Sequence, residues 1–233
     1  MGDKTKKYLG KGIAAMLLFL VFTIMLCFVD VKAIGPQGST VGLAGINSLL
    51  RPIITVKNET LAMGIAKTVD ILGLLAIGMG VCFAFVGLSQ LIKVKKLFKV
   101  DYRLLLAGAL YIDLGIIYAI FQKLIINFRP VLMDGVLEAS YPSSHTLLTF
   151  VVYMTAPVLL CAFIKNRKLA EILSVISSVL GIVSMVGRAI CGIHWPTDII
   201  GALILSFGLI WLFRASCNMV KERKLQMKAE KLF

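Results

Sequence analysis

Long apolar stretches, separated by short polar and basic segments, dominate the pattern of this chain. A bilayer core about 30 Å thick needs roughly 20 apolar residues per helix, and six stretches approach or exceed that length. They cover residues 12–29, 69–94, 104–126, 145–164, 169–186 and 197–213. The pattern predicts an all-α, polytopic membrane protein in which six transmembrane helices form a bundle. The sequence has no internal repeat and no low-complexity linker, so we expect a single membrane domain over residues 1–233.

The N-terminal region allows more than one interpretation. The first stretch follows a basic segment and precedes Val31-Lys32-Ala33, an acceptable signal-peptidase site. The stretch is long for the apolar part of a signal peptide, so we interpret it as an uncleaved first helix. Residues 31–67 are mixed in character and contain Gly35-Pro36 and Arg51-Pro52. The middle of this segment, residues 46–54, is either a short interfacial helix or an ordered loop.

The composition supports a membrane location. Hydrophobic residues make up 59% of the chain and charged residues 16%, and the mean hydropathy is +0.92. Soluble proteins have about 45–50% apolar and about 25% charged residues. The net charge of +13 would suggest a nucleic-acid partner in a soluble protein. Here the basic residues lie just outside the apolar stretches, where anionic lipid headgroups at the cytoplasmic face attract them. We therefore expect lipid partners and no nucleic acid.

The distribution of Lys and Arg predicts the orientation in the membrane. The N-terminus, the second and fourth loops and the C-terminal tail together hold 18 of these residues, and the other three loops hold seven. The positive-inside rule places the more basic segments in the cytoplasm. Both termini, including the basic tail 214–233, are then cytoplasmic. The first, third and fifth loops face the outside of the cell membrane.

Three polar clusters lie beside the later helices on the predicted outer side. They are Lys123 with Arg129-Pro130, Pro142-Ser143-Ser144-His145, and Arg188 with His194 and Asp198. Each cation taken alone could simply extend to the lipid headgroups, and Asp198 could be a favourable charge at a helix start. Ionisable groups this close to the hydrocarbon are costly and are candidates for function. Both histidines of the chain fall in these clusters, which favours a common site.

A metal site and a disulfide framework are not expected from the sequence. The five cysteines are scattered without a Cys-x-x-Cys pair, and an odd number argues against a full set of disulfides. The chain has two histidines and no cluster of histidines with acidic residues, which is unlike a transition-metal site. We therefore expect neither a metal nor a cofactor.

The three clusters resemble the signature motifs of the type-2 phosphatidic acid phosphatase family, which shares its site with vanadium haloperoxidases and glucose-6-phosphatase. The family pattern is Lys, six residues and Arg-Pro, then Pro-Ser-Gly-His, then Ser-Arg, five residues, His, three residues and Asp. Arg188, His194 and Asp198 reproduce the spacing of the third motif. The resemblance covers roughly residues 60–215 and implies a six-helix membrane phosphatase with its site at the extracytoplasmic end.

The chain departs from this pattern at three positions. Lys123 stands six positions before Arg129 rather than seven, which turns it by roughly 120° around a helix, and Gln122 occupies the usual place. Ser144 replaces the glycine of the second motif. Gly187 replaces the serine of the third and removes one hydroxyl donor. None of these changes removes a group that attacks phosphorus or transfers a proton.

The resemblance implies a role for each candidate residue. His194 would attack phosphorus and form a phosphohistidine, Asp198 would fix the tautomer of His194, and His145 would act as general acid and base. The phosphate-binding residues would be Lys123, Arg129, Ser143, Ser144 and Arg188. The implied enzyme is a metal-independent hydrolase, a lipid phosphate phosphatase of the cell membrane.

Several substrates and two other functions fit the same chemistry. Phosphatidic acid, phosphatidylglycerol phosphate, a lipid A phosphate and undecaprenyl diphosphate are all candidate substrates, and the small, basic chain mildly favours the last. One alternative function is a non-catalytic lipid transporter or scaffold, which we would expect to have lost the histidine nucleophile or acid. The other is a lipid phosphotransferase, which passes the phosphoryl group to a second lipid instead of water.

Overall fold

The computed structural model describes residues 1–230, and within this range the chain forms seven α-helices. They are α1 (Asp3–Phe28), α2 (Ala44–Ile54), α3 (Glu59–Val94), α4 (Tyr102–Lys123), α5 (Ser144–Phe163), α6 (Arg167–Ile190) and α7 (Pro196–Glu230). All of them except α2 are long and apolar enough to cross a membrane. The predicted all-α bundle of six transmembrane helices is therefore confirmed. The segment around residues 46–54 is a helix, α2, rather than a loop.

Two helices extend well beyond the apolar stretches that predicted them. α3 begins at Glu59 rather than at residue 69, because the Asn58 side chain caps it by accepting from the Leu61 N–H (3.0 Å). α7 continues to Glu230 rather than ending at residue 213, so the described part of the basic tail is helical. The last residues of that predicted tail, 231–233, lie outside the described part of the chain. Hydropathy detects only the apolar part of a helix and misses its polar extensions.

α5 and α7 form the centre of the bundle. In these two helices 56% of the apolar span is buried, against 17–22% in the other four. α1 lies along α7, and glycines allow the close approach: a Cβ atom on Gly12 would come within 2.7 Å of Leu212, and one on Gly208 within 2.9 Å of Met16. Close packing through small residues is typical of transmembrane helices. α6 packs against α5 on another side of the centre.

The two ends of the bundle differ in what they carry. The Gly2 backbone N–H donates to the Glu222 carboxylate (2.8 Å), and the Thr5 hydroxyl donates to its other oxygen (2.6 Å). Glu222 lies 26 residues after the start of α7 at Pro196, which is about 39 Å along a helix. The N-terminus and the C-terminal part of α7 therefore share one end. The start of α7, with the third polar cluster, is at the other.

Candidate active site

The three polar clusters meet at the end of the bundle where α7 begins. Nη1 of Arg129 lies 3.4 Å from Nε2 of His194, which joins the first cluster to the third. The Ser143 backbone N–H donates to the carbonyl oxygen of Asp198 (3.2 Å), which joins the second to the third. Segments far apart in the sequence thus form one site.

His194 and Asp198 lie in the middle of this site, and both side chains are buried. Nδ1 of His194 is 3.6 Å from Oδ2 of Asp198, which is longer than a hydrogen bond. Oδ2 instead accepts from the Trp195 backbone N–H (2.9 Å). Burial lowers the pKa of His194 below its usual value of 6.5, although the Asp198 carboxylate acts in the opposite direction. The imidazole is therefore neutral near pH 7.

The loop that joins α6 to α7 is held in place from two sides. Gly192 has a φ of +77°, which glycine adopts without strain, and Pro196 begins α7 at a position that proline favours. The Trp195 indole N–H donates to the Phe128 carbonyl oxygen (2.8 Å). The guanidinium of Arg51 lies over the Trp195 ring, 5.5 Å from its centroid. These contacts attach the loop to the α4–α5 connection and to α2.

Asn127 belongs to the site although the motifs do not include it. Its buried amide donates to Oδ1 of Asp198 (3.2 Å), and its own oxygen accepts from the Gly42 backbone N–H (3.1 Å). Together with the N–H of Trp195, Asn127 holds both carboxylate oxygens of Asp198. The available signal in the sequence was a polar amide two positions before Arg129, next to an apolar stretch.

Asp70 of α3 contacts two of the predicted site residues. Nη2 of Arg188 donates to Oδ1 of Asp70 (3.0 Å), and Nε2 of His145 lies 3.3 Å from the same oxygen. The Arg188 side chain is only 3% exposed, whereas that of Asp70 is 54% exposed. Sequence reasoning missed Asp70. A carboxylate inside a transmembrane stretch was the signal that could have found it.

The two serines of the second motif face different surroundings. Ser143 is fully buried and caps α5, and its hydroxyl lies 3.0 Å from that of Thr146. Ser144 is partly exposed and lines the cavities beside His145 and His194. The Ser144 hydroxyl is thus in reach of a molecule in the site, whereas the Ser143 hydroxyl interacts within the protein.

The structure places Gln122, rather than Lys123, at the site. Gln122 lines the cavity beside His145 and the small pocket beside His194. Lys123 is an exposed residue at the C-terminal end of α4. This difference follows from the turn of the helix, because neighbouring residues point about 100° apart. The predicted phosphate contact of Lys123 stays a prediction, and Gln122 is the side chain that the cavity offers.

A cavity of about 760 Å³ opens beside the cluster. Its polar lining includes Asp70, Gln122, Arg129, Glu138, Ser144 and His145, and apolar residues of α3, α4 and α5 supply most of the rest. A second cavity, of about 570 Å³ and largely apolar, shares Ile77, Tyr111 and Leu148 with the first. The two cavities lie next to each other between α3 and α4, and together they are called the groove below. His194 borders a much smaller pocket of about 20 Å³.

Residues that could hold a metal ion are not gathered here. Across residues 1–230, no group of three or more His, Cys, Asp or Glu side chains is placed to bind one. The cationic character of the site comes from Arg129 and Arg188, and guanidinium groups match the oxygens of phosphate with paired donors.

These features define a class: a helical, multi-pass membrane protein with a buried His–Asp pair and two arginines beside a largely apolar groove. The PAP2 superfamily matches residues 12–221, and the chain belongs to this family. The fold is similar to that of a transmembrane PAP2 type phosphatidylglycerolphosphate phosphatase from Bacillus subtilis, with a TM-score of 0.60 and 16% sequence identity over 90% of this chain and 97% of that one. No curated protein sequence matches the chain.

Proposed function

We propose that this protein is an integral membrane phosphatase that hydrolyses the phosphate or diphosphate headgroup of a lipid through a phosphohistidine intermediate. The observation that carries the proposal is the buried His194, which has a lowered pKa and lies between the Asp198 carboxylate and the Arg129 guanidinium. A neutral imidazole is a nucleophile. Membership of the PAP2 superfamily supports the same chemistry.

The reaction divides into two displacements at phosphorus. In the first, the Nε2 lone pair of His194 attacks phosphorus, the bond from phosphorus to the leaving oxygen breaks, and His145 protonates that oxygen. In the second, water attacks the phosphohistidine, His145 accepts the proton of the water, and the phosphorus–nitrogen bond breaks to release inorganic phosphate. Asp198 stabilises the charge on the His194 ring as in a catalytic triad. Its distance of 3.6 Å resembles the long catalytic hydrogen bonds of many substrate-free enzymes.

The arginines supply most of the stabilisation of the transition state. Phosphoryl transfer spreads negative charge over the equatorial oxygens, and catalysis depends mainly on positioning and electrostatics. Arg129 lies beside Nε2 of His194. Arg188 is nearly fully buried and forms an ion pair with Asp70. Ser144 and Gln122 line the cavity and offer further donors. We assign the phosphate-binding role to these four side chains. Lys123 and Ser143 would have to rotate toward the ligand to contact the phosphate.

The groove between α3 and α4 supports a lipid as the substrate. It begins at Asp70 and His145 and continues through apolar residues of both helices, so a headgroup at the site can leave its hydrocarbon chain in the groove. The candidate substrates all combine a phosphate or diphosphate headgroup with long hydrocarbon chains. They are phosphatidic acid, phosphatidylglycerol phosphate, undecaprenyl diphosphate and lipid A phosphate. The Bacillus subtilis protein of similar fold is a phosphatidylglycerolphosphate phosphatase, which makes that lipid the first substrate to test.

The test is phosphate release by the purified protein from this panel of lipids, with and without EDTA. We expect the wild type to release phosphate from at least one lipid in the presence of EDTA, and His194→Ala to lose activity by about 10³-fold or more, as for loss of other catalytic nucleophiles. Brief reaction with a ³²P-labelled lipid should label the wild type and leave His194→Ala unlabelled. Equal activity of the two proteins on every lipid, with equal thermal stability in detergent, would overturn the proposal.

A further inference from the structure

Asp70 is an acidic residue that the three motifs do not contain, yet it lies against the site. One oxygen of its carboxylate accepts from Nη2 of Arg188 at 3.0 Å and lies 3.3 Å from Nε2 of His145. The carboxylate therefore links a residue of the third cluster to a residue of the second. It also lines the 760 Å³ cavity, so it contacts the space that a substrate would enter.

Two glycines allow α3 to approach closely enough for these contacts. A Cβ atom on Gly187 would lie 2.6 Å from Cγ2 of Val69, the residue before Asp70. A Cβ atom on Gly73, one turn after Asp70, would lie 3.3 Å from Cδ2 of His145. Gly187 stands where the family pattern has serine, so this departure opens the space that α3 occupies. A glycine on α6 and a glycine on α3 thus permit α3 to pack against Arg188 and His145.

A negative group near His145 favours the protonated form of its imidazole, which a general acid needs. The charged and titratable side chains that face it are Arg188 from α6, Arg129 and His194 from the loops, and Asp70 from α3. Burial and the two guanidinium groups oppose protonation of the imidazole, and a nearby carboxylate favours it. A general acid must carry a proton when the leaving group departs. Asp70 supplies the negative charge among these neighbours.

We infer that Asp70 is a positioning residue that orients His145, favours its protonated form in the general-acid step, and fixes the guanidinium of Arg188 for the phosphate. The inference rests on the proposed function and adds a second histidine–carboxylate pair, His145 with Asp70, beside His194 with Asp198. In this proposal, Asp198 orients the nucleophile His194, and Asp70 orients the general acid His145.

The discriminating measurement uses leaving groups that differ in their need for a proton. Dodecyl phosphate has an alkoxide leaving group and depends on a general acid, whereas para-octylphenyl phosphate leaves as a stable phenolate. We expect Asp70→Asn to reduce kcat on dodecyl phosphate by about 10- to 100-fold, within the roughly 10²–10⁴-fold contribution of a general acid. The loss on the aryl ester should be several times smaller. The basic limb of the kcat/KM profile for dodecyl phosphate should also move to lower pH.

Two further variants separate this role from a structural one. Asp113→Asn makes the same change on α4, at an exposed residue outside both large cavities, and should leave both rates unchanged. Asp70→Glu should recover part of the dodecyl phosphate activity and return the basic limb toward the wild-type position. Equal losses on the two esters, or an unshifted basic limb, would overturn the inference. An inactive wild type would instead overturn the proposed function, and the inference with it.

Discussion

At the scale of single residues, the site depends on a few groups whose charge states are set by their neighbours. His194 is buried in a place that disfavours its charged form, and Asp198 is held by Asn127 and Trp195 rather than directly by the imidazole. The carboxylate is therefore already in position before a substrate binds. In the proposed mechanism, such preorganisation would let Asp198 stabilise charge in the transition state without rearranging at that moment.

The lowered pKa of His194 predicts the acid limb of activity. The imidazole must be neutral to attack, so kcat/KM should fall only below pH 6.5, the usual pKa of histidine. Asp198 raises the pKa of His194 and Arg129 lowers it. Asp198→Asn should therefore move the acid limb to lower pH, and Arg129→Gln should move it to higher pH, in addition to reducing kcat.

The measurement is a pH profile of kcat/KM for wild type and both variants in one detergent. Asp113→Asn, which changes a carboxylate away from the site, serves as the matched control and should leave the limb in place. Shifts of Asp198→Asn and Arg129→Gln in the same direction would contradict the assignment of the acid limb to His194.

The residues named from the sequence and those found in the structure differ for a physical reason. Arg129, His145, Arg188, His194 and Asp198 stand at fixed spacings beside helix ends, and a local pattern reveals them. Asp70 and Asn127 reach the site through packing of distant segments, which spacing alone does not encode. Gln122 and Lys123 differ by one step around α4, and the direction of a helix face depends on the helices packed against it.

At the scale of elements, α3 and α4 line the groove in which we expect the hydrocarbon chain of a lipid substrate to lie. The groove between them is lined by small residues, among them Gly80 and Gly108, and runs away from the site along both helices. Gly108 lies 14 residues before Gln122, which is about 21 Å along α4. A long hydrocarbon chain can reach this level from the headgroup site, and a short chain ends before it.

Filling the groove should therefore discriminate by chain length. No atom lies within 4 Å of a Cβ atom built on Gly108, so Gly108→Leu adds its side chain to the groove without a clash at Cβ. We expect kcat/KM for a dipalmitoyl lipid phosphate to fall by about 10-fold, equivalent to about 1.4 kcal/mol. The dioctanoyl analogue should be nearly unaffected.

Gly10→Leu is the matched control, because Gly10 is an exposed glycine of α1 whose added Cβ also meets no atom within 4 Å. Steady-state rates in mixed micelles at fixed lipid fraction give the comparison. Equal loss on long and short chains would show that the groove does not hold the hydrocarbon chain.

The elements themselves were the most predictable part of the fold. The thickness of the bilayer fixes the length of each apolar stretch, so all six spans were found from hydropathy. The ends of α3 and α7 were not, because Asn58 caps one helix in a polar segment and α7 continues through basic residues. The arrangement of the spans around α5 and α7 depends on close contacts such as Gly12 with Leu212, which no single stretch reveals.

At the scale of the whole molecule, the bundle separates the site from the termini. The N-terminus is joined to Glu222 at one end, and the His194 cluster lies at the other. Of the 24 Lys and Arg residues among residues 1–230, 17 fall in the segments on the side of the termini. The positive-inside rule places this side in the cytoplasm, so the phosphatase site should face the outside and act on lipids of the outer leaflet.

Cysteine labelling of intact cells tests this orientation. In a background with the five native cysteines replaced by alanine, Asp134→Cys lies in the loop at the site end, and Lys168→Cys lies near the start of α6 at the opposite end. A membrane-impermeant maleimide should label Asp134→Cys in intact cells and Lys168→Cys only after permeabilisation. The reverse pattern would place the site in the cytoplasm. The basic segments on the side of the termini would then lie on the outer side, and the substrate would be a lipid of the inner leaflet.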